Sequence, residues 1–281
     1  MNRLENVAIV GVGLIGGSIG LALRQRGLAE KVTGIGRRQV SLRIARRVGA
    51  VTNTSIDLAK GVAGADLVVV CTPVGRIVED VRRAAEYCPK GTLITDTGST
   101  KRTIVEALDT GLPRKCRFLG GHPLAGGERG GPVNAQPELF NGHVAVITPT
   151  MNTRAEDFDL LEEFWMSLGS MVVQMPAAEH DRALAMTSHL PHVAATALAA
   201  IIPEQLFRLT GTGFWDTTRL ACGDPSLWMQ ILELNRDHVL SALEEYGGTL
   251  AALHAAIRDG NQAELERILT TAKKNRDALG S

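Results

Sequence analysis

Gly11-Val12-Gly13-Leu14-Ile15-Gly16 follows directly on the apolar run Val7–Val10 and opens the helical pattern Leu14–Arg26, which ends at Gly27. This placement constrains the chain more than any other feature of it. The first glycine permits a tight turn, the second lets backbone approach a pyrophosphate, and the third lets helix pack closely on strand. The helix N-terminus then offers free N–H groups and partial positive charge to an anion. The strand–turn–helix context that gives such a motif meaning is present. Gly11, Gly13, Leu14, Ile15 and Gly16 are therefore expected to form a dinucleotide site.

The next strand-like run, Val32–Ile35, selects the coenzyme. An NAD site places Asp or Glu about 20 residues past the glycines, where it holds the ribose 2′-hydroxyl. Here the corresponding residue is Gly36, followed by Arg37 and Arg38. Glycine removes a carboxylate that would repel a 2′-phosphate, and guanidinium forks grip one well. NADP is expected over NAD, with NAD still possible; the bland alternative for Arg37-Arg38 is a solvated surface pair. Cys71-Thr72-Pro73 closes the apolar run Asp66–Cys71 and is expected to wall the adenosine or ribose side. Pro73 also suits the first position of a helix.

Strand-like runs recur at Leu93–Asp96, Phe118–Gly121, Val144–Thr148 and Met171–Met175. Helical patterns fall between them at Ser41–Val48, Val74–Tyr87, Thr103–Asp109 and Arg154–Leu168. Such alternation implies a doubly wound parallel sheet of the Rossmann α/β class. Past Met175 the chain reads as all helix: Ala178–Ile202 with a kink near Pro191, Pro203–Thr210, Pro225–Tyr246, Thr249–Asp259 and Gln262–Leu279. Asp259-Gly260-Asn261 is a helix break with Gly in the C-cap role. Two domains are expected, residues 1–175 for the dinucleotide and 176–281 for substrate and dimerisation.

Composition narrows the class. Of 281 residues 44% are hydrophobic and 21% charged, as in a globular protein rather than a disordered one. The most apolar stretch, Val193–Ile202, is short for a bilayer span, so no membrane partner is expected. Four separated cysteines without a CxxC argue against zinc or a disulfide framework, and suit a cytoplasmic setting with no metal. Residues 1–50 hold nine Lys or Arg against two acids. No aromatic residues or nucleic-acid motif accompany them, which favours a small polyanionic ligand over nucleic acid.

Polar clusters mark the chemistry. Asp96-Thr97-Gly98-Ser99-Thr100-Lys101 and Gly120-Gly121-His122-Pro123 each follow a strand, where ligands sit in such sheets. Ser188-His189-Leu190-Pro191-His192 interrupts an alanine-rich helix, and Asp216-Thr217-Thr218-Arg219 lies beyond it. Together GVGLIGGS, DTGSTK, GGHPLAGGERGG, SHLPH and DTTRLACGDPSLW resemble the prephenate/arogenate dehydrogenases of tyrosine biosynthesis, in order over residues 7 to about 230. That resemblance implies oxidative decarboxylation of prephenate to 4-hydroxyphenylpyruvate or of arogenate to tyrosine, by a homodimer. It implies His122 as the base for the ring hydroxyl, and Ser99 as a hydrogen-bonding partner of that hydroxyl and the nicotinamide region. Arg219 is implied to bind a substrate carboxylate and His189 the substrate. His192 is expected to support His189 or pack, and Glu128 and Asp216 to orient Arg219 and gate the cleft. Trp228 reads as helical core more than as pocket wall.

Two rival readings remain open at this level. One is a β-hydroxyacid or 6-phosphogluconate type of dehydrogenase, which uses a lysine on the interdomain helix; Ala183–Ala200 contains none. The other is a non-catalytic NADP-binding sensor.

Overall fold

The computed structural model describes residues 4–127 and 129–280. Eight strands form a single sheet in the order β3-β2-β1-β4-β5-β6-β7-β8. They are β1 (Leu4–Val10), β2 (Ala29–Ile35), β3 (Asn53–Ser55), β4 (Leu67–Val70), β5 (Leu93–Asp96), β6 (Arg117–Pro123), β7 (Val144–Thr148) and β8 (Met171–Gln174). All neighbours pair in parallel except β6 and β7, which run antiparallel with His122 opposite Val146. The doubly wound α/β class read from the sequence is the observed one.

Alternation along each central strand feeds two cores. Ile9 of β1, Leu67 and Val69 of β4 and Leu93 of β5 join Ile19 and Leu23 of α1 (Leu14–Gln25) and Phe164 and Trp165 of α6 (Ala155–Ser167). Ala8, Val10, Val68, Val70 and Ile94 point to the other face. There they meet Ile77 and Val81 of α4 (Ile77–Ala85), with Ile104 and Leu108 of α5 (Arg102–Leu108). Strands covered on both faces are apolar at every position, which is why the runs in β1 and β4 are continuous rather than alternating.

The remaining helices are α2 (Gln39–Arg47), α3 (Leu58–Val62), α7 (Ala177–Leu184), α8 (Leu190–Ile201), α9 (Thr212–Thr218), α10 (Pro225–Leu234), α11 (Arg236–Arg258) and α12 (Gln262–Ala278). By compactness the chain divides into Met1–Asn235 and Arg236–Ser281. Within the second unit α11 and α12 pack on each other. Gly260 takes φ +65° between them, the left-handed C-cap anticipated at Asp259-Gly260-Asn261.

Four local features differ from the sequence reading. Strand β3 was not anticipated, since Asn53-Thr54-Ser55 is short, polar and unremarkable in pattern. Helix was expected to run from Pro225 to Tyr246; it ends at Leu234, where Asn235 leaves helical geometry at φ −116° and ψ 27°. The break expected near Gly247-Gly248 is absent, and α11 continues through both glycines at the modest cost helices can bear. Pro203–Thr210 forms only a tight 3₁₀ turn at Glu204–Leu209.

The kink near Pro191 is present in a milder form. The run Ala177–Ile201 stays helical but widens to a π turn at Ala185–His189. Pro191 has no N–H for the carbonyl four residues back and its ring crowds it, so the turn before it loosens. This run is long and apolar enough to cross a bilayer by length and composition alone. It also holds His180, Asp181, His189 and His192 buried against the protein.

Gly16 has the packing role read from the motif. A Cβ there would sit 2.2 Å from the Gly11 carbonyl oxygen and 2.9 Å from Ile9 Cγ2. Gly16→Ala should therefore force α1 off β1 and cost roughly 1–3 kcal/mol, as overpacking does. Urea denaturation checks this: an unchanged midpoint would mean the helix approach is looser than described.

Candidate functional site

Two sites occupy the carboxyl edge of the parallel strands. The first is a cavity of about 360 Å³ lined by Gly11, Gly13, Gly36, Arg37, Arg38, Cys71, Thr72 and Pro73, among others. The sequence alone singles out all of these residues. Gly11 takes φ +96°, and a Cβ on it would strike the Cys71 carbonyl at 2.7 Å, so only glycine fits the turn. A Cβ on Gly13 would meet nothing within 4 Å, which leaves open space over the start of α1. Gly13 is the N-cap of α1 and supplies no side chain to its first N–H groups. Leu14, Ile15 and Gly16 are not among the cavity's lining residues: Gly16 packs, while Leu14 and Ile15 form the first turn.

The cavity fits a dinucleotide on further grounds. Thr72 Oγ1 is buried without a hydrogen-bond partner among the described residues. Arg76 and Asp80 line the same cavity 3.2 Å apart, yet Arg76 Nε and Asp80 Oδ2 are also buried and unpartnered. Orphaned polar atoms around open space call for a polar ligand. Cys71 is no nucleophile, since burial pushes its thiol up to about 12. Arg76, Asp80 and Arg83 escape sequence reasoning because they read as the polar face of an amphipathic helix.

The second site is a chain of buried polar groups. His122, half-buried near the end of β6, places Nδ1 2.8 Å from Nε2 of His180. His180, fully buried on α7, places Nδ1 2.7 Å from Asp181 Oδ1. Asp181 also accepts from the backbone N–H of Lys101 at 2.7 Å and of Arg102 at 2.9 Å, the start of α5. These donations outweigh the upward push of burial and hold its carboxyl below the usual range. As a carboxylate it only accepts, so His180 Nδ1 carries the proton. When that is the ring's single proton, the lone pair lies on His180 Nε2 and His122 Nδ1 donates to it. The lone pair of a neutral His122 is left on Nε2, which makes no hydrogen bond to a described residue.

Electrostatics keep that ring uncharged. Burial depresses the His122 imidazole well below its ordinary value, and His180, Lys101 and His189 push in the same direction. Lys101 is fully buried and pairs with Asp96, whose Oδ1 and Oδ2 also accept from Gly121 N–H at 3.2 Å and Gly98 N–H at 2.8 Å. Asp96 and Lys101 thus brace both the loop holding half-buried Ser99 and the strand holding His122.

His189 is 1% exposed, with Nδ1 3.1 Å from Asn235 Nδ2. His192 stacks on Trp228 at 3.5 Å between centroids, and its ring hydrogen-bonds the Leu220 backbone carbonyl. Trp228 packs on the apolar core with Ile231. Arg219 is exposed and begins the short turn Arg219–Cys222, which packs on α8 beside His192. Asp216 is exposed on α9. Glu128 lies outside the described residues. The loop after His122 returns to the dinucleotide helix: a Cβ on Gly127 would lie 3.3 Å from Leu14, and Gln136 N–H donates to Ser18 at 2.9 Å.

Sequence reasoning misses His180, Asp181 and Asn235. The available signal is a His-Asp pair on the same helical run as SHLPH; a helical face of polar residues ordinarily means solvent. Among the described residues no group of three or more His, Cys, Asp or Glu is placed to hold a metal ion.

Known proteins resemble this chain in a consistent way. The family model for the prephenate dehydrogenase nucleotide-binding domain matches residues 19–174, and that for the prephenate dehydrogenase dimerization domain matches 176–271. The prephenate dehydrogenase of Bacillus subtilis is 30% identical over 99% of this chain and 77% of its own length. The cyclohexadienyl dehydrogenase of Zymomonas mobilis is 31% identical over 99% and 97%. Among solved structures, prephenate dehydrogenase from A. aeolicus in complex with hydroxyphenyl propionate and NAD+ superposes with a TM-score of 0.91 at 30% identity, covering 99% of both chains. Synechocystis arogenate dehydrogenase gives 0.81 at 28% identity, covering 98% of this chain and 100% of that one.

The Lys101–Asp96 pair offers a direct test of the frame. Lys101→Met should cost about 3–5 kcal/mol, because it leaves a buried carboxylate without its cation. The same change removes a positive neighbour and should raise the His122 pKa. Denaturant melts and an NMR titration of the histidine rings read the two effects separately; a neutral melt would show that the pair does not organise the site.

Proposed function

The chain belongs to the prephenate dehydrogenase family, and from that membership we propose how its residues carry out the oxidative decarboxylation of prephenate to 4-hydroxyphenylpyruvate, or of arogenate to tyrosine. The observation that carries the reading is the His122–His180–Asp181 hydrogen-bond chain, which leaves His122 Nε2 without a hydrogen bond to any described residue. That nitrogen takes the proton of the substrate's ring hydroxyl. The nicotinamide supplies the acceptor for the hydride leaving the same carbon. Loss of CO₂ from the opposite ring carbon returns its bonding electrons to the ring, which becomes aromatic.

The other roles follow from position and chemistry. Ser99 lies in the loop after β5, braced by Asp96, and is assigned a hydrogen bond to the ring hydroxyl. Arg219, on the turn that packs against the His192 helix, is assigned a substrate carboxylate, for which a guanidinium fork is suited. His189 binds the substrate from α8. Asp216 and Glu128 are assigned to orient Arg219.

Gly11, Gly13 and the first N–H groups of α1 hold the pyrophosphate, and Thr72 the neighbouring ribose. NADP is the preferred coenzyme. This is supported by Gly36 in place of a carboxylate, and by Arg37, Arg38, Arg76 and Arg83 around one cavity. We assign residues 1–175 to coenzyme and 176–281 to substrate and subunit pairing, a division supported by the two matched family models. A homodimer is supported by the dimerization match and by exposed Ile201, Phe207, Leu209 and Trp215. Four free cysteines suit the cytoplasm.

Two experiments follow. Purified protein with prephenate or arogenate and each coenzyme should show reduced-coenzyme absorbance, and His122→Asn should lower turnover roughly 10²–10⁴-fold with coenzyme affinity intact. Protonation of His122 abolishes the base and its pKa lies below 6.5, so activity should persist below pH 6.5 and fail only in more acid solution. An acid limb at or above 6.5 would remove His122 from that role. Separately, the double change Arg37→Ser, Arg38→Ser should weaken NADP roughly 10–100-fold, from lost charge-assisted bonds, and leave NAD nearly unaffected. Equal losses for both coenzymes, by fluorescence titration, would show that these arginines do not read the 2′-phosphate.

A further inference from the structure

Asn235 stands where α10 leaves helical geometry and is 3% exposed. Its side-chain nitrogen Nδ2 makes two contacts: 2.7 Å to the Asp181 carbonyl oxygen and 3.1 Å to His189 Nδ1. An amide nitrogen has two hydrogens to give and no lone pair to accept with. Both contacts are therefore donations. The orientation of the amide is itself fixed, because the flipped form would set its oxygen against a backbone carbonyl oxygen. His189 Nδ1 consequently accepts, and the ring proton of the neutral imidazole resides on Nε2. That atom makes no hydrogen bond to a described residue.

The groups facing His189 are Asp181, His180, His192 and His122, with the Trp228 ring edge-on at 6.1 Å. Asp181 favours an added proton, but burial outweighs it, aided by the His180 and His192 imidazoles, and brings His189 to about 4. The ring is thus uncharged across the working range and its single proton is directed by one neighbour.

We propose that Asn235 is a positioning residue that holds His189 as a neutral Nε2–H donor, so that this ring recognises only an acceptor oxygen of the substrate, a carboxylate or keto oxygen and not an ammonium group. The proposal rests on His189 being a substrate-binding residue. It adds a specificity device: the contact is a polarity filter set from the far side of the ring by a residue that touches no substrate.

The test uses the full chain labelled with ¹⁵N-histidine. Long-range ¹H–¹⁵N NMR, with the His189 signals identified by their loss in His189→Gln, should show Nε2 protonated and Nδ1 bare between about pH 6 and 8. A protonated Nδ1 in the unaltered protein overturns the proposal, whatever any variant does. Asn235→Asp reverses the polarity, since a carboxylate accepts where the amide donated. It should move the proton to Nδ1 and raise substrate KM at least ~10-fold, with kcat and coenzyme affinity within about twofold. Asn235→Ser, which keeps a donor, should recover part of the KM. A folded Asn235→Asp with wild-type KM also overturns it. Failure of the wider functional reading is distinguishable: neither acid would then turn over in the unaltered protein, while the tautomer measured by NMR would stand.

Discussion

The Asp181 carboxylate is the contact on which the site's arrangement depends. It accepts the backbone N–H groups of Lys101 and Arg102, the first of α5, while sitting on α7 eighty residues further along the chain. The N-cap residue of α5, Lys101, gives that helix no side-chain cap of its own. A carboxylate from another element thus does what an N-cap side chain does, and it gains from the positive end of the helix dipole. One residue so fixes the β5–α5 turn, which carries Ser99, to the helix that carries His180. Its remaining bond sets the His180 tautomer and, through it, that of His122.

Burying this much polarity is costly unless every charge is answered. An isolated ammonium in an apolar interior carries a penalty of several kcal/mol even after relaxation, and pairing repays it only with good geometry. Lys101 meets that condition through Asp96, and Asp96 in turn accepts from Gly98 and Gly121. The charges alternate through the site: Asp96, Lys101, then Asp181. Lys101 acts on His122 at a distance by opposing its protonation, and Asp181 by fixing which nitrogen is bare. The two effects are separable because one is charge and the other is hydrogen-bond direction.

The sheet and the dinucleotide turn were legible in the sequence for a simple reason. Strands buried on both faces leave long apolar runs, and a glycine motif is read by spacing. β3 was invisible because three polar residues on a sheet edge carry no periodic signal. The helix break at Asn235 was misplaced to Gly247-Gly248 because local propensity favours breaking at glycine. The tertiary bonds of Asn235 decide otherwise, and two glycines in a long helix cost only about 1 kcal/mol each. His122, Ser99, His189 and Arg219 stood out through motifs. His180 and Asp181 did not, since a polar pair on a helix looks solvated until the fold covers it. Arg76 and Asp80 were hidden by the same ambiguity.

A base held neutral by burial and by a nearby cation is, on those grounds alone, badly placed to take a proton. The hydrogen-bond chain resolves this for the proposed reaction. Before the proton arrives, His122 donates to His180, and Asp181 lies two bonds away with its charge already satisfied by three donors. Once Nε2 is protonated, the His122 Nδ1–H donor becomes cationic and its bond to His180 strengthens, as charge-assisted bonds do. The His180 Nδ1–H polarises toward Asp181 in turn. The stabilisation therefore grows with the charge that develops and is small in the resting state, which is the condition for lowering a barrier rather than tightening a ground-state complex. Truncating the chain at Asp181 would leave His122 in place but without the distant carboxylate that answers its new charge, and without the tautomer that aims its lone pair.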